Sequence, residues 1–230
     1  MLRSMPYPYL ASSLLGLLIL LVGLILGSGQ RRLAVLSGML SAPFALASVF
    51  FVPEYWAPVR LADFPAGPED FIFSFATGGM AWLLAIWPLR GRFTAGLDPG
   101  RFLGRYLACT VSGVALSGFL WASGMGAMAS AIIGIAALWG ALLWRRRDLW
   151  PLSATGAIGF TLFYTVFVLA VVVAWPDLRL HWNADNLWGP WLLIVPLEEL
   201  VWALAYGAVW PLFMAFVFDT RPVPQEGYEP

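Results

Sequence analysis

The sequence predicts an all-α polytopic membrane protein: seven transmembrane helices with an internal parallel repeat of helices 2-3 and 6-7. Three observations carry this. Of 230 residues, 60% are hydrophobic and 11% charged, whereas soluble domains carry about 25% charged residues. The mean hydropathy is +0.79. Finally, the uncharged runs approach the roughly 20 residues that cross a bilayer. In order they are Tyr9 to Leu26, Leu33 to Val52, Phe71 to Leu89, Phe102 to Ser123, Ala127 to Trp144, Pro151 to Trp175, and a last one ending at Phe218.

The missing residue types narrow the chemistry. All 13 basic residues are arginine, so no lysine can form a Schiff base with retinal or pyridoxal phosphate. His181 is the only histidine and Cys109 the only cysteine, which rules out histidine-clustered di-iron sites, bis-histidine haem, an intrachain disulfide and an iron-sulfur cluster. Gly124, Gly126 and Ala129 spell GxGxxA but lie between two apolar spans with no preceding strand, so a tight interhelical turn is expected there rather than nucleotide binding. No cofactor, metal or nucleic-acid partner is expected; the partners are membrane lipids.

Orientation follows from the arginines. With the N-terminus outside, Arg31, Arg32, Arg90, Arg92, Arg101, Arg105, Arg145, Arg146, Arg147 and Arg221 fall on the cytoplasmic side, and only Arg3, Arg60 and Arg179 fall opposite. Ten against three is a positive-inside bias, placing the protein in a cell (inner) membrane with a cytoplasmic C-terminus. The basic flank follows the first span instead of preceding it, so that span is expected to be a retained helix and not a cleaved signal.

The two middle helices read as scaffold. Leu107 to Trp144 carries no charge, and Gly113 with Ser117, then Ser130 with Gly134, repeat at the four-residue spacing that lets helices approach closely in lipid. Charge returns in two outward loops that resemble each other. After the second helix come Pro53-Glu54-Tyr55-Trp56 and then Gly67-Pro68-Glu69-Asp70-Phe71, opening the third. After the sixth come Trp175-Pro176-Asp177, His181 to Asn186, and Val195-Pro196-Leu197-Glu198-Glu199-Leu200, opening the seventh. A shift of 129 positions superposes Glu69 on Glu198, Asp70 on Glu199 and Gly78 on Gly207. The halves are taken as 1-106 and 107-230. Four spans separate the copies, so both acidic pairs enter the membrane at the same level, and a parallel repeat places function between its halves.

Proline suits the first position of a helix, and acids in the first turn are favoured by the helix dipole. The third helix is therefore expected to begin at Pro68 and the seventh at Pro196. Trp191 to Val195 would then form an apolar flap over Glu198 and Glu199, while Glu69 and Asp70 lie nearer water. Capping alone can explain the acids, but adjacent carboxylates beneath an apolar flap are costly unless used. Neighbouring helix positions differ by about 100 degrees, so one acid of each pair faces inward; Glu198 groups with Trp202, Ala205 and Val209, and Glu199 with Ala203 and Tyr206. Thirteen tryptophans, 16 phenylalanines and 7 tyrosines furnish interfacial belts and also ring faces able to stabilise a carbocation. The outer side lacks the basic residues and the DDxxD-type cluster that a diphosphate substrate needs. Asn183, Asp185 and Asn186 suit a turn better than a metal. Acid chemistry on an uncharged lipid fits best.

Pro196-Leu197-Glu198-Glu199, with its preceding loop of tryptophan, asparagine and glycine, resembles the Pro-x-Glu-Glu signature of the membrane-integral lycopene cyclases built from two fused domains. Gly67-Pro68-Glu69-Asp70-Phe71-Ile72-Phe73 is similar to the same signature in the other domain. The resemblance covers roughly 80 of the 230 residues, and membrane-bound terpene cyclases share the broad architecture. It implies redox-neutral cyclisation of a linear polyene or isoprenoid end group taken from the bilayer, as in carotenoid biosynthesis. A carboxylic acid, kept neutral by burial or a neighbouring carboxylate, protonates the terminal double bond; the next double bond attacks the tertiary cation, and a ring proton leaves. Glu198 or Glu199 is the expected general acid. Glu69 and Asp70 are the expected ionised partners, Trp56, Phe73, Trp202 and Tyr206 the substrate-binding aromatic residues, and His181 with Asp185 a proton relay. Replacing any of the four acids by its amide is expected to leave the fold intact. The alternatives are a carotenoid- or quinone-binding subunit, or a small proton-coupled transporter.

Overall fold

A computed structural model of the chain describes residues 6–223. Its long helices are α1 (Pro8–Leu26), α4 (Pro68–Ile86), α5 (Pro99–Ala122), α6 (Ala127–Arg145), α7 (Trp150–Ala174) and α8 (Leu197–Val217). The second crossing is broken into α2 (Arg31–Ser41), a 3₁₀ stretch Ala42–Ala47 and α3 (Ser48–Phe51). Pro43 explains the break, because it offers no N–H and crowds the preceding turn. Seven helical segments among the described residues are long and apolar enough to cross a membrane, and the protein is an all-α polytopic membrane protein.

The expected spans and the observed helices agree to within a few residues at each end. Pro68 opens α4, whereas Pro196 is the residue just before α8. Gly124, at φ +94, turns the chain between α5 and α6, which accounts for the first glycine of the GxGxxA letters, and Gly126 is the N-cap of α6.

Helices α4 and α8 form the centre. Their spans are 61% and 56% buried, against 6% for α5. Helix α4 packs on α1, α2 and α7, and α8 packs on α6 and α7, so α7 is shared by the two central helices. Helix α5 packs against α6 and α8. A division of the chain at residue 106 falls inside the first part of α5.

Glycine permits the closest approaches at both central helices. A Cβ on Gly78 would lie 2.3 Å from Cβ of Ser41, and one on Gly207 would lie 2.7 Å from the Gly156 carbonyl oxygen. The positions related by the 129-residue shift thus do the same work, each seating a central helix on the helix before it. In the scaffold pair, a Cβ on Gly134 would lie 2.0 Å from Oγ of Ser117, so the small-residue spacing does bring α5 and α6 together.

The bundle has two chemically distinct ends. One gathers Arg31, Arg32, Arg90, Arg92, Arg101, Arg105, Arg145, Arg146, Arg147 and Arg221; Arg3 lies outside the described residues. Here β1 (Phe93–Thr94) pairs antiparallel with the last strand (Arg221–Pro222). Arg105 reaches Asp219 at 3.0 Å, and its hydrogen bond, followed by that from Arg221, holds the Asp219 carboxyl below the usual range. Some arginines of this end are therefore structural as well as topological. The other end carries all four candidate acids.

Candidate active site

At the acid-bearing end two loops are stitched together. Ala57 N–H donates to the His181 carbonyl at 2.7 Å, Asn183 N–H to the Tyr55 carbonyl at 2.9 Å, and Asn186 Nδ2 to the Glu54 carbonyl at 2.7 Å. This brings Trp56 and Trp182 into a β-bridge with ring centroids 5.4 Å apart. Beneath this cover is a cavity of about 420 Å³, within the range of small-molecule pockets. Both repeats contribute to it: Asp70 from α4 and Glu199 from α8 line the same space, and both are buried.

The two acids of each pair divide their work in the same way. The first holds its own preceding loop: Glu69 Oε1 accepts from the Leu61 N–H at 3.1 Å, and Glu198 Oε1 accepts from the Trp188 N–H. Both residues are fully buried, neither lines the cavity, and Oε2 of each has no hydrogen-bond partner among the described residues. The second acid of each pair faces inward. Glu199 is therefore the cavity-facing member of the pair that sequence left undivided, and Glu198 is a loop-positioning residue. Glu198→Gln keeps an oxygen acceptor for Trp188, whereas Glu198→Ala leaves that N–H without one, at about 1–3 kcal/mol. Thermal unfolding should separate the variants, with glutamine close to the native protein and alanine destabilised.

Glu199 sits in a ring of neutral donors. The Tyr55 hydroxyl donates to Oε1 at 3.0 Å, Trp182 Nε1 to Oε1 at 2.9 Å, and the Tyr164 hydroxyl to Oε2 at 2.6 Å. Burial, and then the adjacent Glu199 carboxyl, pushes the Tyr55 hydroxyl far above its ordinary value, so it stays protonated. Among the described residues no salt bridge reaches Glu199. Below it on α8, Trp202 and Tyr206 stack at 5.0 Å and 16°, and Tyr206 and Trp210 at 5.5 Å and 11°. Helical spacing places this stripe on the Glu199 side, so Trp202 belongs with Glu199 and not with Glu198 alone.

Asp70 differs from its repeat partner. Its Oδ1 accepts from the Tyr9 and Ser48 hydroxyls, each at 2.8 Å, and its Oδ2 from the Gly67 N–H at 2.8 Å and from Arg60 Nη1. The Arg60 and Asp70 side chains are only 7% and 5% exposed, which makes a buried ion pair. The expectation that Glu69 and Asp70 lie nearer water is corrected on both counts. Glu69 is sealed behind its loop, and Asp70 is dry but neutralised by an arginine that reaches it from ten residues earlier in the chain.

The expected flap is also different. Trp191–Leu192 (β2) pairs with Val195–Pro196 (β3) in a hairpin, but only Val195 and Pro196 are buried, while Trp191, Leu192 and Leu193 point outward. Tyr55, Tyr164 and Trp182 cover Glu199 instead. Of the expected substrate-binding residues, Trp56, Phe73, Trp202 and Tyr206 all line the cavity.

The relay residues do not. Asp185 is exposed in the 3₁₀ turn Ala184–Asn186, capped by Asn183. His181 lies outside the cavity, with its ring 5.7 Å from that of Trp56 and its Nδ1 buried without a partner. Burial lowers the His181 pKa, opposed by Asp177. As the pH falls below about 6.5, the unfolded imidazole takes up a proton before the folded one. Stability fully present above that value is then lost down to the folded pKa. Melting curves across this window should slope in the native protein and flatten in His181→Gln.

Sequence reasoning missed Arg60, Tyr9, Tyr55, Tyr164 and Trp182. Arg60 had one available signal, as one of the few arginines outside the basic end, and Tyr164 had another, as a hydroxyl inside an apolar span. Comparison with known proteins returned no matching family model, no matching curated protein and no matching solved structure.

Proposed function

We propose that the chain is an enzyme carrying out redox-neutral, acid-initiated cyclisation of a linear polyene or isoprenoid end group, in the manner of a lycopene β-cyclase. The observation that carries the reading is Glu199, a buried carboxyl with three neutral donors and, among the described residues, no counter-ion, standing over an aromatic-lined cavity. Its acid form gives a proton to the terminal trisubstituted double bond of a chain lying along Trp202 and Tyr206. The neighbouring double bond attacks the tertiary cation and closes the ring, within a cavity lined by the rings of Trp202 and Tyr206. A ring proton then returns to the Glu199 carboxylate, so the product is an isomer of the substrate and the acid is regenerated. Asp70 is a poor base, because its oxygens are filled by Tyr9, Ser48, Arg60 and Gly67. It anchors the cavity wall, and the paired charge of Arg60 offsets the field it would otherwise lend to the cation.

Expression in a lycopene-accumulating host tests the reading: cyclised pigment supports it, and unchanged lycopene beside folded protein counts against it. The arginine-rich end is assigned to the cytoplasm and the acid-bearing end to the opposite side of the inner membrane. A reporter fused after Pro230 should accordingly be cytoplasmic and one inserted near Ala184 extracytoplasmic, and the reverse pattern overturns the orientation.

A further inference from the structure

The cavity opens sideways. Three residues that line it are also exposed on the outside of the bundle: Phe50 at 41%, Val114 at 53% and Trp121 at 41%. Phe50 lies on α3, the other two on α5. At the acid-bearing end the two helices touch through an edge-to-face contact between Phe50 and Trp121, with centroids 5.1 Å apart and planes at 71°, and Trp121 Nε1 reaches Glu54 at 3.4 Å. Gly118 and Val114 follow about one and two turns further along α5, on the side of Trp121. Gly118 lines the cavity, yet a Cβ there would meet nothing within 4 Å.

The opening is thus an apolar slot bounded by Phe50, Trp121, Gly118 and Val114. It lies just inside the acid-bearing end of α5, the least buried of the long helices. At this depth hydrocarbon, not water, stands outside. A slot lined by carbon and backed by an aromatic cavity excludes charged or strongly hydrated molecules, because nothing in it repays their desolvation.

We infer that the slot is a lateral portal for one long, uncharged hydrocarbon chain, which enters from the leaflet at the acid-bearing end, places its end group below Glu199 and leaves its tail in the bilayer. The assignment of the chain as a polyene rests on the cyclisation proposed above; the portal itself rests on geometry. Two consequences follow. The cavity selects the end group and not the chain length, since the tail never has to be enclosed. A substrate with two reactive ends has to leave and return through the same slot, once for each ring.

The test is photolabelling of the full chain in lipid vesicles with a long alkyl chain bearing a diazirine at its tip, followed by mapping of the labelled residues. Leu107 and Val111 are exposed on α5 and lie outside the cavity lining, so they report ordinary lipid contact, while Cys109 and Thr110 line the cavity and report passage through the portal. The native protein should be labelled at all four. Gly118→Trp fills the open space at the slot and Val114→Trp narrows it from an already exposed position. Each should lose labelling at Cys109 and Thr110 and keep it at Leu107 and Val111. Unlabelled Cys109 and Thr110 in the native protein, or undiminished labelling there in both tryptophan variants, overturns the portal. Portal labelling that behaves as expected, in a native protein that forms no ring from any polyene, leaves the portal standing and removes the cyclisation.

Discussion

Glu199→Gln should reduce ring formation about 10²- to 10⁴-fold, the contribution typical of a positioned general acid, with little change in folding. The amide keeps an oxygen for the Tyr55 hydroxyl and Trp182 Nε1, and its NH₂ group can donate to the Tyr164 oxygen, so the contacts around residue 199 are kept with the Tyr164 bond reversed. No arginine loses a partner. Pigment analysis at equal amounts of folded protein measures the effect, with Glu198→Gln as the reference, because Glu198 faces its loop and not the cavity. Full activity in Glu199→Gln combined with loss in Glu198→Gln would reverse the assignment within the pair. Silence in both would transfer the cavity to a binding role for the same apolar ligand.

Asp70→Asn should be the most destabilising change of the four acids, at about 3–5 kcal/mol. Sequence alone makes every acid-to-amide change harmless, on the ground that removing a buried charge relieves desolvation. The structure corrects this for Asp70. Its carboxylate is the counter-ion of Arg60, and the amide would leave a guanidinium almost as buried as before with no opposite charge beside it. Arg60→Met in the Asp70→Asn background should recover much of the loss, since replacing both members of a buried pair is often close to neutral. Chemical or thermal unfolding in detergent measures all three proteins. Additive losses in the double variant would mean that the two side chains act independently.

Most of the architecture was legible in sequence because the bilayer imposes a simple rule, a long uncharged run for every crossing, and this chain obeys it with little else between the runs. The acid-bearing helix starts were legible from Pro68 and Pro196. Which acid turns inward was not, since adjacent helix positions are separated by only 100 degrees and the choice is made by Leu61 and Trp188, whose N–H groups pull Glu69 and Glu198 toward the loops. The misread flap has a related cause. An apolar run such as Trp191-Leu192-Leu193 signals burial in a protein surrounded by water, but beside a bilayer an apolar side chain pointing outward carries no such penalty. Arg60 was invisible as a partner because its loop folds back on the helix that follows, a contact no periodicity encodes. Tyr55 and Trp182 meet at Glu199 only because two loops from different repeats pair, which is long-range information.

The central claim is that Glu199 passes a solvent-derived proton to the substrate and takes a different proton back. Incubating the purified protein in vesicles with a linear polyene in D₂O, followed by mass spectrometry of the product, measures this directly. With the protein equilibrated in D₂O beforehand and held in molar excess over the polyene, so that each ring is closed by a Glu199 already carrying deuterium, the expected product is a cyclised isomer with one deuterium for each ring closed, and no such product from Glu199→Gln. A cyclised product without deuterium, or equal product from the glutamine variant, would contradict it.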